Sequence, residues 1–165
     1  MKGYNVKRQS SLQLRRRSLL QKYPFPSSLV GHSDSNGDED TGFLHVTYAN
    51  NHWNNINSRQ PSIRFGTGHI FNSYYDTGDT GINTRMGAEV LIESSVFTGV
   101  EAAIESDDSD TTGSAVVKDV DLGGGTNTAP KGTLTSVPYD YSLLGSAAVK
   151  AAVVGTAGNT LTLSA

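Results

Sequence analysis

The sequence predicts an all-β protein built as a solenoid of stacked short strands, of the parallel β-helix type, and three observations predict it. The first is an internal repeat. Val46–Trp53 (VTYANNHW), Gly68–Tyr75 (GHIFNSYY) and Val90–Phe97 (VLIESSVF) align at an offset of 22 residues both times. Val46, Gly68 and Val90 coincide, as do Tyr48, Ile70 and Ile92; then Asn50, Asn72 and Ser94; then Trp53, Tyr75 and Phe97. The second is a period of two. Leu44, Val46 and Tyr48 alternate with His45 and Thr47, as in a strand with one buried face. The third is composition: Gly, Ser, Thr and Asn make up 64 of 165 residues, which suits short strands joined by many turns.

Each coil of such a repeat cannot bury its apolar face alone, but stacked coils share one interior. Neighbouring strands lie about 4.8 Å apart, so equivalent residues stack on themselves. Asn50, Asn72 and Ser94 then form a polar ladder at a turn, and Trp53, Tyr75 and Phe97 an aromatic stack. A further strand is expected at Ser114–Val120, where the register has drifted. A leucine-rich repeat suits the period but its leucine pattern is absent. An ordinary β-sandwich with chance similarity between copies is the alternative. Leu122–Gly132 is Gly-rich and reads as loop. Tyr141–Val154 reads as a helix stopped by Gly155, packed on the solenoid or capping its end.

The formal net charge of −3 is unevenly spread. Residues 1–33 hold seven Lys or Arg and no acid; residues 34–165 hold six bases and sixteen acids. Residues 1–27 therefore read as a basic leader, disordered or artefactual, ahead of one domain over 28–165. Its Arg-rich, acid-poor composition also suits a mitochondrial transit peptide, and Leu19–Leu20 is too short for the apolar core of a secretory signal. Seven bases could touch phosphates weakly, but no motif supports specific nucleic-acid binding. The absence of cysteine excludes disulfides, thiolate metal sites and cysteine nucleophiles. No apolar run approaches the roughly 20 residues of a membrane span.

Three groups of residues could carry chemistry. Arg59, Arg64 and Arg85 are three of only six bases after residue 33, and fall on or between adjacent repeats. Arginines on a rigid β scaffold make an anion-binding surface whose forks match carboxylates. Strict alternation would put Arg59 and Arg64 on opposite faces, five residues apart, but Pro61 interrupts the strand. Scattered surface pairing is the plainer account. Asp34–Asp40 (DSNGDED) resembles part of a calcium loop, but Glu39 stands where Gly is needed and His45 where Glu is needed, so a solvated acidic turn is expected. His32, His45, His52 and His69 have no metal-ligand spacing and read as structural or surface residues, His45 and His69 on an outer strand face.

SLVGHSDSN (Ser28–Asn36), LHVTYANNHW (Leu44–Trp53), R-x-P-x-x-R (Arg59–Arg64), GINTR (Gly81–Arg85) and VLIESSVF (Val90–Phe97) occur here in that order. Together they resemble the pectate lyases of polysaccharide lyase family 1, and the fungal secreted ones most, from about Ser28 to near the C-terminus. The resemblance implies a right-handed parallel β-helix, a monomer, secretion from the cell, and calcium-dependent β-elimination on α-1,4-linked polygalacturonate. By resemblance Arg59 takes the position of the catalytic base, Arg64 and Arg85 match positions that contact substrate carboxylates, and Pro61 fixes the backbone between the motif arginines. A guanidinium is normally protonated, so a base role needs a desolvated, positively charged setting.

The family's main calcium ligands lie on coils N-terminal to this region, and residues 1–27 supply none, so calcium is expected for the family while no metal ligand is assigned in this chain. Pro26 stands where the family has a substrate-contacting lysine. The chain reads as the C-terminal half of a pectate lyase, with little activity by itself. Pectin lyase, acting on methyl-esterified pectin, and a catalytically silent β-helix that binds acidic polysaccharide are the other two readings.

Overall fold

The computed structural model describes residues 11–158 and Thr160. The chain winds as strands β1 (Ser11–Arg16), β2 (Leu19–Pro26) and β3 (Leu29–Val30), a short helix α1 (Gly37–Asp40), then β4 (Leu44–Ala49), β5 (His52–Ser58), β6 (Ser62–Arg64), β7 (Thr67–Phe71), β8 (Tyr74–Arg85), β9 (Glu89–Glu105), β10 (Ser114–Asp121), β11 (Thr126–Asn127) and helix α2 (Ser146–Val153). The fold is the expected right-handed parallel β-helix, of about four turns. One flank stacks β1, β4, β7, the start of β9 and β10; the second stacks β2, β5, the start of β8 and the middle of β9; the third stacks β3, β6 and the ends of β8 and β9.

The register is the one the repeat predicts. Val46 pairs with Gly68 and Gly68 with Val90; Trp53 pairs with Tyr75 and Tyr75 with Phe97. In-register pairing forces like residues into columns. The Trp53 and Tyr75 rings stack 5.9 Å apart at 3°, and Tyr75 and Phe97 4.2 Å apart at 6°. All three rings are buried, beside columns of isoleucine. Between the first and second flanks the chain turns sharply at Arg17, Asn50, Asn72, Ser94 and Asp119, each at a φ of 41–57°. Asn tolerates that left-handed backbone better than most residues, and the Asn72 amide donates to Asn50 Oδ1 at 3.2 Å.

The structure differs from the sequence reading at residues 11–26, expected within a leader. They form β1 and β2, a rung of the solenoid in which Leu20 lies opposite Trp53 and packs on the core. The reason is rung length. Ser11 pairs with Leu44 and Leu19 with His52, 33 positions on instead of 22, because residues 31–43 detour outward through α1. Residues 1–10 of the expected leader lie outside the described residues. The C-terminal helix also begins later than expected, at Ser146: Gly145 takes a φ of 82°, and Tyr141 and Leu144 bond to the solenoid flank instead. β10 matches the predicted Ser114–Val120 strand to within one residue. No described helix is long and apolar enough to cross a membrane.

Candidate functional site

The third flank carries the arginines. Ile63, Ile82 and Ile104 point into the core, so alternation puts Ser62, Arg64, Asn83, Arg85 and Glu105 on the outer face. Pairing sets Ser62 beside Asn83, Arg64 beside Arg85 and Asn83 beside Glu105. Two guanidiniums thus stand on adjacent rungs. Arg59 sits outside β6, in the preceding turn, at a φ of 57°, so strand alternation does not govern it. That turn is held firmly. The Arg59 carbonyl accepts from Ser28 N, the Gln60 amide donates to the carbonyls of Ile56 and Thr80, and buried Pro61, after a cis peptide bond, accepts from Asn83 N. Arg59 is half-buried, and no described residue accepts a hydrogen bond from its side chain.

Adjacent like charges repel unless something intervenes. Asp34 does: its Oδ1 pairs with Arg64 Nε and lies 3.5 Å from Arg85 Nη2. Its Oδ2 accepts from Ser109 Oγ at 2.6 Å, and Ser109 Oγ accepts from Arg85 Nε at 2.7 Å. Arg64 also donates to the Gly31 carbonyl, and Arg85 to the Asp108 carbonyl. Gly31 is required there: its φ is 85°, and a Cβ would lie 2.7 Å from Arg64 Cβ. The Ser109 hydrogen bond first, then the two arginines, hold the Asp34 carboxyl below its ordinary range against the opposing effect of burial. Burial, then repulsion from Arg64 and, less, from Arg59, lowers the proton affinity of Arg85. Burial and the neighbouring Asp107 and Asp108 push Glu105 the other way, upward.

The structure thus brings Arg64 and Arg85 together, with Arg59 in electrostatic reach of Arg85. It adds Asp34, which the sequence reading left in a solvated turn, and Ser109, which it did not single out. β3 pairs with β6, Leu29 with Ser62, which puts the Gly31–Asp34 loop beside Arg64, a proximity that the sequence alone does not mark. The rest of the acidic turn lies apart, Asp38, Glu39 and Asp40 being clustered on α1 with none of them buried. His69 and His45 lie on the outer face of the first flank, His69 buried there between Tyr139 and Glu93.

Among the described residues no group of three His, Asp or Glu side chains could hold a metal ion. The acid at the arginines, Asp34, is already committed to them. The residues present do not fit a resident calcium ion.

Comparison with known proteins agrees with this fold. A family model described as pectate lyase matches residues 18–161. A probable pectate lyase A of Neosartorya fischeri is 65% identical over 135 residues, covering 82% of this chain and 41% of the relative. Pectate lyase B of Colletotrichum gloeosporioides is 64% identical over 139 residues, covering 84% and 42%. The chain therefore spans about two fifths of the length of these relatives. Among solved structures, a variant pectate lyase from Xanthomonas campestris superposes with a TM-score of 0.79 at 30% identity, covering 89% of this chain and 49% of that one. A Bacillus sp. N165 pectate lyase in complex with trigalacturonate gives 0.76 at 28%, covering 88% and 48%. Erwinia chrysanthemi pectate lyase C, at pH 9.5 with 30 mM Ca2+, gives 0.73 at 26%, covering 92% and 48%. With the repeat, the stacked rungs and the arginine face all pointing the same way, the chain belongs to the pectate lyase family.

Proposed function

We propose that this chain carries the arginine side of a site that cleaves α-1,4-polygalacturonate by β-elimination outside the cell, and that its own turnover is slight. The observation that carries the reading is the pair of Arg64 and Arg85 on adjacent rungs of the outer third flank, with Arg59 in the turn before it and in electrostatic reach of Arg85, in a chain whose residues 34–165 carry six bases against sixteen acids. An acidic body meets an acidic polymer only where cations offset the repulsion. In the proposed reaction Arg59 removes the C5 proton of a galacturonate, the electron pair forms the C4–C5 double bond, and the C4–O bond breaks to the leaving sugar. The guanidinium cluster disperses the charge that builds on the adjacent carboxylate. Calcium, when bound in the family, supplies carboxylate neutralisation of the same kind; the ligands for it are not assigned in this chain.

The test uses polygalacturonate and highly methyl-esterified pectin in parallel, with calcium or with chelator. Binding to polygalacturonate that is lost on esterification is expected, with only weak release of ultraviolet-absorbing unsaturated product. Preference for the ester would favour pectin lyase, and robust calcium-dependent turnover would remove the claim of slight activity. Asp34, already committed to both buried arginines, favours the second reading, a silent polysaccharide-binding β-helix. Arg59→Ala separates the two: in a silent binder, removing the base changes nothing that can be measured as turnover.

A further inference from the structure

The arginines expected to grip substrate carboxylates are already gripped. Arg64 and Arg85 are only 7% and 4% exposed. The Nε edge of each faces the Asp34–Ser109 pair, and one further nitrogen of each reaches a backbone carbonyl. Swinging either guanidinium outward would break these bonds and unpack a buried side chain. Asp34 is the exchangeable partner. Its side chain is 38% exposed, and it lies between β3 and α1, outside every strand pairing. Ser33 and Ser35, on either side, bond each other across it at 3.0 Å.

From these contacts we infer that Asp34 is a built-in carboxylate, holding the positions on Arg64 and Arg85 that a uronate carboxylate takes, and that the sugar acid binds by displacing it. The inference rests on the polyuronate reading above. The exchange puts one carboxylate in place of another, so the charge beside the two buried guanidiniums is unchanged. The displaced Asp34 gains water. Asp34 therefore weakens binding and makes it selective. A neutral sugar or a methyl ester cannot replace a carboxylate between two cations without leaving them unpaired.

The experiment is calorimetric titration of the full chain with trigalacturonate in chelator, for the wild type, Asp34→Asn and Ser109→Ala. Asp34→Asn keeps the shape and one acceptor but loses the charge, and is expected to bind about tenfold tighter, the scale of a lost charge-assisted competitor. Ser109→Ala, which loosens Asp34, is expected to tighten binding less. Carbon-detected NMR of the Asp34 carboxyl in the wild type needs no substitution: at saturation its titration should move up toward the ordinary aspartate range. Binding by folded Asp34→Asn that is equal to or weaker than wild type, or an Asp34 titration unmoved at saturation, overturns the inference and leaves polyuronate binding standing. If neither wild type nor variants bind trigalacturonate, the polyuronate reading falls and takes the inference with it.

Discussion

Arg59, Arg64 and Arg85 carry the same charge in three different situations. Arg59 is half-buried with no side-chain hydrogen bond to a described residue; Arg64 and Arg85 are buried and shared by one carboxylate. Stability and chemistry should therefore separate. Arg59→Ala is expected to shift chemical unfolding by no more than about 0.5 kcal/mol, while abolishing whatever turnover the chain has. Arg64→Ala is expected to cost about 1–3 kcal/mol, less than a fully buried pair because Asp34 keeps contact with water. Denaturant titration of both variants checks this; equal losses would mean that the three arginines are one structural cluster. Which arginines gather was legible from counting bases, because a chain with so few after residue 33 has few ways to make a cationic spot. That Asp34 joins them was not legible: 30 residues separate it from Arg64 and 75 from Ser109, and only the fold brings them together.

At the scale of elements, the segment before α2 acts as a strap across the first flank. Tyr139 OH bonds Thr47 Oγ1 at 2.6 Å and His69 Nδ1 at 2.7 Å, and His69 Nε2 meets Glu93 Oε2 at 3.1 Å. Glu93 also accepts from Tyr141 OH at 2.6 Å and pairs with Lys118 at 3.2 Å. Burial, opposed by Glu93, lowers the His69 pKa below its ordinary 6.5. Hydrogen bonds from Tyr141, His69 and Lys118 outweigh burial and lower Glu93 below its ordinary 4.5. Below pH 6.5 the unfolded chain takes up a proton at His69 that the folded chain refuses, so stability falls with acidification there. Below 4.5 the contribution of Glu93 is lost in turn. Glu105 acts oppositely, since its raised pKa makes ionisation above 4.5 a burden that acid relieves. Urea midpoints should decline from pH 7 to 5, and His69→Gln should flatten that decline; a slope unchanged by the substitution would mean that other groups set it. The helix behind the strap was legible from its alanines and its Gly155 stop. Its true start was not, because Tyr141 and Leu144 are as content in a helix as bonded to Glu93 and Asn72.

For the whole molecule, the 22-residue period made the fold legible, since rungs of equal length leave only one register that buries every apolar column. The first rung escaped notice because its detour lengthens it to 33. That rung also leaves Tyr23, Phe25 and Leu29 exposed, at 48%, 62% and 45%. Apolar side chains on a strand that, among the described residues, is paired along one side invite further pairing. Sedimentation should show association that grows with concentration, and Phe25→Lys with Tyr23→Lys should reduce it; a monodisperse monomer at high concentration would count against this.

The detour through α1 also decides what can change without harm. It leaves the stack after β3 and rejoins it at β4, so its length never enters the register of the columns. Adding a few residues to such an outward loop costs well under about 1 kcal/mol of closure entropy. Adding one residue inside β4 would turn every side chain of that strand to the wrong face. The stretch of the loop beyond Asp34 can therefore vary in length without touching the register, while Gly31 and Asp34 stay fixed by their contacts with Arg64 and Ser109. Lengthening or shortening the stretch between Gly31 and Asp34 would move Asp34 relative to Arg64 and Arg85, the contact on which the proposed exchange with a uronate depends, while the register of the core columns stays as it was.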